Sequence, residues 1–338
     1  MTLPAPSQSV DKPMTGITSG RVTRADGGWP SRLVDQMPAL VLLGLCTLSA
    51  LASDRFASGA NLSNVLLQAA VLTVITIGMT FVIIGGGFDL SVGSVVALSG
   101  CVGAELMLRA GIGAGVAGGV ATGLVVGLIN GSVVANLGVS PFIATLGTMV
   151  LVRGVALLLT SGAPVVGDAG LPPAFISFGS ERWLGVPLLV WTAVALVLAF
   201  AWTLHRTAYG IRVFAVGGNR EAAYLSGVAV SRITVSTYAI SGFTAGIAGV
   251  MLASRLQSGQ PTAGEFYELN SIAAVVLGGA ALHGGEGKLY KSMIGVLIMT
   301  VLANSLNLIG VDSYWQRIAI GVVIIAAAAA DQARRRRR

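Results

Sequence analysis

The chain has 338 residues, of which 21 are Lys or Arg and 14 are Asp or Glu, and its formal net charge is +7. Charged residues make up 10% and hydrophobic residues 54% of the sequence, whereas about 25% of an ordinary soluble domain is charged. A soluble domain of this size could not cover its surface with so few charges, which excludes a cytosolic enzyme, a disordered protein and a nucleic-acid-binding protein. The composition predicts an all-α polytopic membrane protein.

The apolar segments divide the chain into a tail and a series of spans. The first 36 residues are polar and predict a flexible cytoplasmic N-tail. Apolar stretches follow at 38–52, 62–84, 91–108, 112–135, 142–160, 186–204, 233–254, 269–283, 292–309 and 315–330. Several are shorter than the ~20 residues that a straight span needs, so we expect about ten transmembrane helices, one or more of them broken. Residues 37–331 then form a single transmembrane domain, followed by a basic C-tail at 332–338.

The distribution of Lys and Arg predicts how the spans are oriented. With ten spans both termini lie on one side, and a cytoplasmic placement puts most of the basic residues inside, in the N-tail, the loops at 205–232 and 284–291 and the C-tail. Eight or twelve spans remain open if the short segments are divided differently. The arginine run at 334–338 is expected to anchor the C-tail at anionic membrane lipid.

The segment at 85–94 interrupts a long apolar stretch with the sequence Gly-Gly-Gly-Phe-Asp-Leu-Ser-Val-Gly-Ser. Three glycines break the helix, and Asp89 and Ser91 can cap the next one. A carboxylate near membrane depth needs a partner or a wet cavity, and broken helices are common where transporters line a pathway. Two interpretations are therefore open, a pathway residue or a helix cap in a cytoplasmic turn.

The fourth span carries a glycine at every fourth position, which produces a groove that winds around the helix. Such a groove lets neighbouring backbones approach closely, so we interpret the stripe as a helix-packing surface rather than a substrate site. Its members are Gly111, Gly115, Gly119, Gly123, Gly127 and Gly131.

The loop at 205–232 is the longest internal cytoplasmic segment. Asn219 can cap a short helix, Glu221 sits favourably near its N-terminus, and Gly227 can end it. A short amphipathic helix between glycines on a cytoplasmic face suits docking into a groove of a partner. The alternative is an interfacial helix that lies on anionic lipid.

Four motifs resemble those of the permease subunits of bacterial ABC sugar importers of the ribose, xylose and arabinose type. The 85–94 segment is similar to that family's Gly-Gly-x-Asp-Leu-Ser-Val-Gly-Ser signature, and 217–227 is similar to its ATPase-coupling loop, Gly-Gly-Asn-x-Glu-Ala-Ala-x-Leu-Ser-Gly. Further matches lie at 259–279 and 304–311. The resemblance runs in order from about residue 38 to 331. One departure is the Ala-Ala-Leu at 280–282, where the family commonly has Thr-Ser-Leu.

The resemblance implies a non-enzymatic permease subunit without a cofactor, since ATP and Mg are bound by a partner ATPase. The expected partners are a second permease copy, in a homodimer or a heterodimer, a cytoplasmic ABC ATPase and a periplasmic sugar-binding protein, in the bacterial inner membrane. The residues expected to couple the chain to the ATPase are Gly218, Asn219, Arg220, Glu221, Ala222, Ala223, Leu225 and Ser226.

A sugar pathway needs hydrogen-bonding groups on an otherwise apolar wall. Polar residues within or beside spans are the candidates, with the alternative that Ser, Thr and Asn bridge helices. These candidates and the aromatic residue of the signature are Phe88, Asp89, Ser91, Asn130, Thr145 and Asn304. Charges expected on the outer face could orient a docked binding protein, or could simply be solvated, and they are Asp168, Glu181, Arg182, Arg255, Glu265 and Glu268.

Two other classes of membrane protein have requirements that can be compared with this sequence. An ion-coupled secondary transporter needs intramembrane ionisable residues, for which Asp89, Glu105 and Arg153 are the candidates. An intramembrane enzyme needs a nucleophile–base pair or a metal cluster, and two distant histidines and two isolated cysteines offer neither. We therefore expect no metal site and no catalytic residue.

Overall fold

The computed structural model describes residues 29–335, with side chains from residue 36 onward except for some in the last helix. Most of the predicted N-tail and the last three arginines lie outside the described residues. Thirteen helices and one two-stranded hairpin are described: α1 Trp29–Ala52, α2 Gly59–Ile84, α3 Val92–Ala110, α4 Ile112–Asn136, α5 Pro141–Thr160, α6 Pro173–Ser180, β1 Arg182–Trp183, β2 Val186–Pro187, α7 Leu188–Arg206, α8 Ala208–Gly218, α9 Arg220–Leu225, α10 Val230–Leu256, α11 Tyr267–Leu277, α12 Leu289–Leu308 and α13 Ser313–Arg335.

Seven of the helices in the described part are long and apolar enough to cross a membrane: α2, α3, α4, α5, α7, α10 and α12. Three shorter apolar stretches lie in α1, α11 and α13. The all-α membrane class is therefore confirmed, while the count of ten spans stays a prediction.

Three elements differ from the sequence expectation. The predicted span 269–283 is wrong in its second half, because α11 ends at Leu277 and Gly279 adopts a φ of +84° that a helix does not tolerate. The loop at 205–232 contains a second helix, α8, and the loop at 161–185 contains α6 and the strand β1 of the β1–β2 hairpin. Helix α1 begins at Trp29, within the segment assigned to the N-tail.

Helices α2, α3 and α10 form the centre of the bundle, and α4 packs against α3 and α10. In the most apolar 18-residue stretch of α2, 83% of the residues are buried inside the protein, against 17% in the corresponding stretches of α5 and α7. Helix α2 is therefore central, and α5 and α7 lie at the periphery of the bundle. Side chains of α2, α3 and α10 make up most of the largest apolar cluster. Because lipid is as apolar as Leu, this packing is stabilised by close van der Waals contact rather than by exclusion of water.

The glycine stripe of α4 lies against α3 and α10. A Cβ added at Gly127 would lie 2.3 Å from the carbonyl oxygen of Tyr238, and one added at Gly115 would lie 2.6 Å from that of Gly103. A Cβ added at Gly119, Gly123 or Gly131 would lie equally close to backbone or side-chain atoms of the neighbouring helices. Gly111 differs, because it caps α3 with a φ of +86° and an added Cβ there would have no atom within 4 Å.

A non-helical segment at 257–266 runs beside α3. Its Gly259 forms a pair of backbone hydrogen bonds with Val165, at 2.8 and 2.9 Å, and lies against Cys101. Gly264, at the other end of the segment, contacts the backbone of Gly93 in the first turn of α3. The segment therefore extends along α3 towards its N-terminus instead of forming a simple surface loop.

Candidate substrate and coupling sites

The segment between α2 and α3 carries a buried carboxylate. Gly85 caps α2, and Gly86 turns the chain with a φ of +83°, which returns Asp89 into the bundle. Asp89 is 1% exposed and accepts three hydrogen bonds: from the backbone N of Ser91 at 3.0 Å, from Ser91 Oγ at 2.6 Å and from Ser241 Oγ at 2.7 Å. No Lys or Arg of the described residues forms an ion pair with it. The hydrogen-bond partners of this carboxyl group are therefore all neutral.

Three further helices converge on the same segment. From α4, Asn130 donates from Nδ2 to Ser91 Oγ at 2.9 Å, and its own Oδ1 is buried without a partner. From α10, the hydroxyl of Tyr238 donates to the carbonyl of Phe88 at 3.0 Å. From α5, Thr145 Oγ1 lies 3.4 Å from the same carbonyl. Five of the six pathway candidates thus belong to one cluster, and all of them except the half-buried Phe88 are enclosed within the chain.

The sixth pathway candidate lies elsewhere. Asn304 of α12 pairs with Asn61 of α2 through two reciprocal amide hydrogen bonds of 2.8 and 3.0 Å, and both residues are buried. Nearby, the hydroxyls of Ser49 and Ser305 are 2.6 Å apart and join α1 to α12. In this arrangement Asn304 bridges helices.

The predicted coupling residues form an exposed helix with a side-chain cap. Asn219 separates α8 from α9, and its Oδ1 accepts a 2.9 Å hydrogen bond from the backbone N of Ala222. Tyr224 and Leu225 are 71% and 78% exposed, while Ala223 is buried against the bundle and fixes the helix to it. The other predicted coupling residues are also exposed, and they are Gly218, Asn219, Arg220, Glu221, Ala222 and Ser226.

An open groove of about 870 Å³ lies beside α9. It is lined by both charged and apolar side chains, including Arg220, Glu221, Tyr224, Val228 and Arg232. A pair of exposed apolar residues next to a charged groove has the composition of a protein-docking surface.

The charges predicted for the outer face do not form one group. Asp168, Glu181 and Arg182 are exposed in the segment at 161–185. Glu268 instead packs against the first turn of α3, where a Cβ added at Gly93 would lie 2.3 Å from Glu268 Oε2. Of the remaining two, Glu265 is exposed and Arg255 is half-buried.

The other ionisable candidates have local partners. Glu105 accepts a 2.7 Å hydrogen bond from Arg109 Nε one turn later, at an exposed site. Arg153 donates from Nη1 to the carbonyls of Pro261 and Ala263 at 2.5 and 2.9 Å, which ties α5 to the 257–266 segment. Both interactions are structural contacts, and neither carries an ion-binding site by itself.

Sequence reasoning missed Ser241, Tyr238 and Asn61. A signal for Ser241 was available, because Thr234, Thr237, Ser241 and Thr244 recur at helical spacing along one buried face of α10. Three of these hydroxyls donate to carbonyls of their own helix. Only Ser241 reaches Asp89, and this distinction depends on the fold.

The bundle of long apolar helices around an enclosed polar cluster is the fold of a multi-pass membrane protein. The chain belongs to the family described as "Branched-chain amino acid transport system / permease component", whose model matches residues 61–328. No solved structure gives a significant match.

Curated relatives match most of the chain. The "Ribose import permease protein RbsC" of Bacillus subtilis (strain 168) is 44% identical over 292 residues, which cover 85% of this chain and 89% of that protein. The "L-arabinose transport system permease protein AraH" of Escherichia coli (strain K12) is 37% identical over 296 residues, covering 87% and 89%. The "Probable ABC transporter permease protein YphD" of the same strain is 38% identical over 296 residues, covering 87% and 88%.

Proposed function

We propose that the chain is the membrane-spanning subunit of an ATP-driven importer that carries a monosaccharide or a related polyol across the inner membrane. The observation that carries the proposal is the 44% identity to a ribose import permease over nearly the whole of both chains. A second relative is a permease for arabinose. Because both sugars named for these relatives are pentoses, ribose and arabinose are the first substrates to test.

ATP hydrolysis in this proposal belongs to a separate subunit that also binds Mg, and this chain carries no cofactor of its own. The ATPase would dock on α9, whose exposed Tyr224 and Leu225 stand beside the charged groove. Such a surface supports the docking interpretation over the lipid-bound alternative, because Arg220, Glu221 and Arg232 give the groove charges of both signs. Anionic lipid would favour a purely basic face.

Transport would proceed by alternating access in a pair of permease subunits, fed by a periplasmic sugar-binding protein, with both termini in the cytoplasm. The enclosed cluster around Asp89 supports this mechanism, because five predicted pathway residues lie together there and four of them are buried. In the conformation described, movement of the surrounding helices would be needed before a sugar reached these groups. The subunit composition of the purified complex decides whether both permease subunits are copies of this chain.

The proposed docking is tested by Glu221→Lys, which reverses a charge in the first turn of α9. The chain is coexpressed with its ATPase subunit, and copurification and ATP-driven uptake of radiolabelled ribose are measured. We expect both to fall at least fivefold, because the new charge opposes the α9 dipole and changes the groove. The matched control is Asp54→Lys at an exposed turn between α1 and α2. Undiminished copurification and uptake in the Glu221→Lys protein would contradict the docking role.

A further inference from the structure

Five glycines from three distant parts of the chain meet next to the segment that carries Asp89. Gly86 follows the end of α2, Gly217 and Gly218 end α8, and Gly284 and Gly285 lie in the connection between α11 and α12. We refer to these five residues as the glycine junction. A 2.9 Å backbone hydrogen bond from the N of Gly285 to the carbonyl of Ile84 joins Gly285 directly to the end of α2.

The contacts in the glycine junction are between backbones. A Cβ added at Gly217 would lie 1.8 Å from the carbonyl oxygen of Ile84 and 2.8 Å from the N of Gly285. A Cβ added at Gly284 would lie 2.8 Å from both the carbonyl oxygen of Gly217 and the Cα of Gly86. Gly86, Gly284 and Gly285 also have φ values of +83°, +92° and +74°, where other residues are strained.

Only a few residues of chain separate the glycine junction from α9 on one side and from Asp89 on the other. On one side, Gly217 and Gly218 are the last residues of α8, and Asn219 follows as the cap of α9. On the other side, Gly86 precedes Asp89 by three residues in a segment without helix. The glycine junction therefore connects the exposed helix to the buried polar cluster through short stretches of chain.

A backbone contact transmits displacement differently from a side-chain contact. Side chains absorb small movements by changing rotamer, whereas glycines in direct contact have no side chain to rotate. Protein interiors are close-packed and resist compression. A movement of α9 towards the bundle would therefore press Gly217 against Ile84 and displace the chain that leads to Asp89.

We propose that the glycine junction is the element that transmits movement of α9 to the Asp89 segment, with Gly217 and Gly284 as positioning residues. This inference rests on the proposed function, in which α9 binds an ATPase. The glycine junction is then the contact through which ATP hydrolysis is coupled to opening of the polar cluster. A bulkier residue in the junction would separate the two sides, so the ATPase would remain bound and hydrolyse ATP with little transport.

The test is Gly217→Ala in the complete complex of permease, ATPase and binding protein, reconstituted in liposomes. Copurification of the ATPase, ATP hydrolysis and uptake of radiolabelled ribose are measured on the same preparations. We expect copurification within twofold of wild type and at least a tenfold fall in ribose transported per ATP hydrolysed. The matched control is Gly59→Ala at the opposite end of α2, where an added Cβ meets no atom within 4 Å. It is expected to keep the wild-type ratio.

A milder variant keeps the proposal testable if Gly217→Ala does not assemble. In Gly86→Ala the nearest atom to the new Cβ is 3.6 Å away, so only the positive φ is strained, and we expect a two- to fivefold fall in the same ratio. The junction proposal would be overturned if an assembled variant transported as much ribose per ATP hydrolysed as wild type does, including the case in which hydrolysis and uptake fall in proportion. ATP-dependent uptake by the wild-type complex would still support the importer in that case. No ATP-dependent uptake by wild type would overturn both proposals.

Discussion

Ser241 of α10 donates a 2.7 Å hydrogen bond from its Oγ to Oδ2 of Asp89, across 152 positions of sequence. Both side chains are buried, at 0% and 1% exposure. This bond fixes the segment between α2 and α3 to the helix that also packs on the glycine stripe of α4. Any rearrangement that opens the polar cluster therefore has to break or carry along the contact between Asp89 and Ser241.

Removing the hydroxyl of Ser241 should destabilise the protein. Ser241→Ala takes away one of the three donors to a buried carboxylate, and we expect a loss of about 1–2 kcal/mol in the free energy of unfolding. Thr234→Val on the same face is the control, because Thr234 donates only to a carbonyl of its own helix. Denaturation in detergent measures both variants. Equal stability of Ser241→Ala and wild type would show that the bond to Asp89 contributes nothing.

The cap of α9 should matter for binding of the ATPase. Asn219→Ala removes the acceptor for the backbone N of Ala222, and loss of an N-cap costs about 1 kcal/mol, so affinity for the ATPase should fall about fivefold. Asn219→Ser retains a capping oxygen and should bind nearly as wild type does. Titration of the purified ATPase into permease in nanodiscs gives both affinities. If Ala and Ser weakened binding equally, capping would not be the cause.

The glycine stripe of α4 predicts opposite effects for two alanine substitutions in one helix. Gly127→Ala brings a Cβ to 2.3 Å from the carbonyl oxygen of Tyr238, and overpacking of this kind costs about 1–3 kcal/mol. Gly113→Ala meets no atom within 4 Å, so the higher helix propensity of Ala should stabilise by about 0.5–1 kcal/mol. Melting temperatures of the two variants should move in opposite directions. A parallel shift would contradict close packing of α4 on α10.

The amide pair of Asn61 and Asn304 should show energetic coupling. Replacing either residue by Leu removes the amide partner of the other, and in the Asn304→Leu protein Asn61 keeps only its hydrogen bond to the carbonyl of Phe56. Replacing both residues leaves neither amide buried without its partner. A double-mutant cycle on the free energy of unfolding should give a coupling of about 0.6–1.7 kcal/mol. Additive losses would mean that the two amides do not depend on each other. Ribose uptake is also measured for a stable double variant. Retained uptake would support helix bridging by Asn304, and lost uptake would support a pathway role.

The sequence predicted features that depend on neighbouring residues in the chain. The glycines at 85–87 end α2 where expected, Asn219 caps α9, and the spacing of the α4 glycines brings five of them into contact with α3 or α10. These outcomes follow from local backbone preferences and from helical periodicity, which a single sequence contains.

Features that depend on the pairing of helices were not predicted. The segment at 257–266 was predicted only as part of a loop, and in the fold it extends along α3 to Gly93, where Glu268 also packs. Nothing in the local sequence states which helix that segment accompanies. The partner of Asp89 was missed for the same reason, because Ser241 differs from the other hydroxyls of α10 only in what faces it.

The central claim is that this chain imports a sugar only when an ATPase subunit drives it. The most direct measurement uses liposomes with ATP enclosed, the binding protein and radiolabelled ribose or arabinose outside, and the chain reconstituted with or without its ATPase. We expect sugar accumulation that requires both the ATPase and ATP. Uptake by the chain alone, driven by an ion gradient and unchanged when the ATPase is left out, would contradict it.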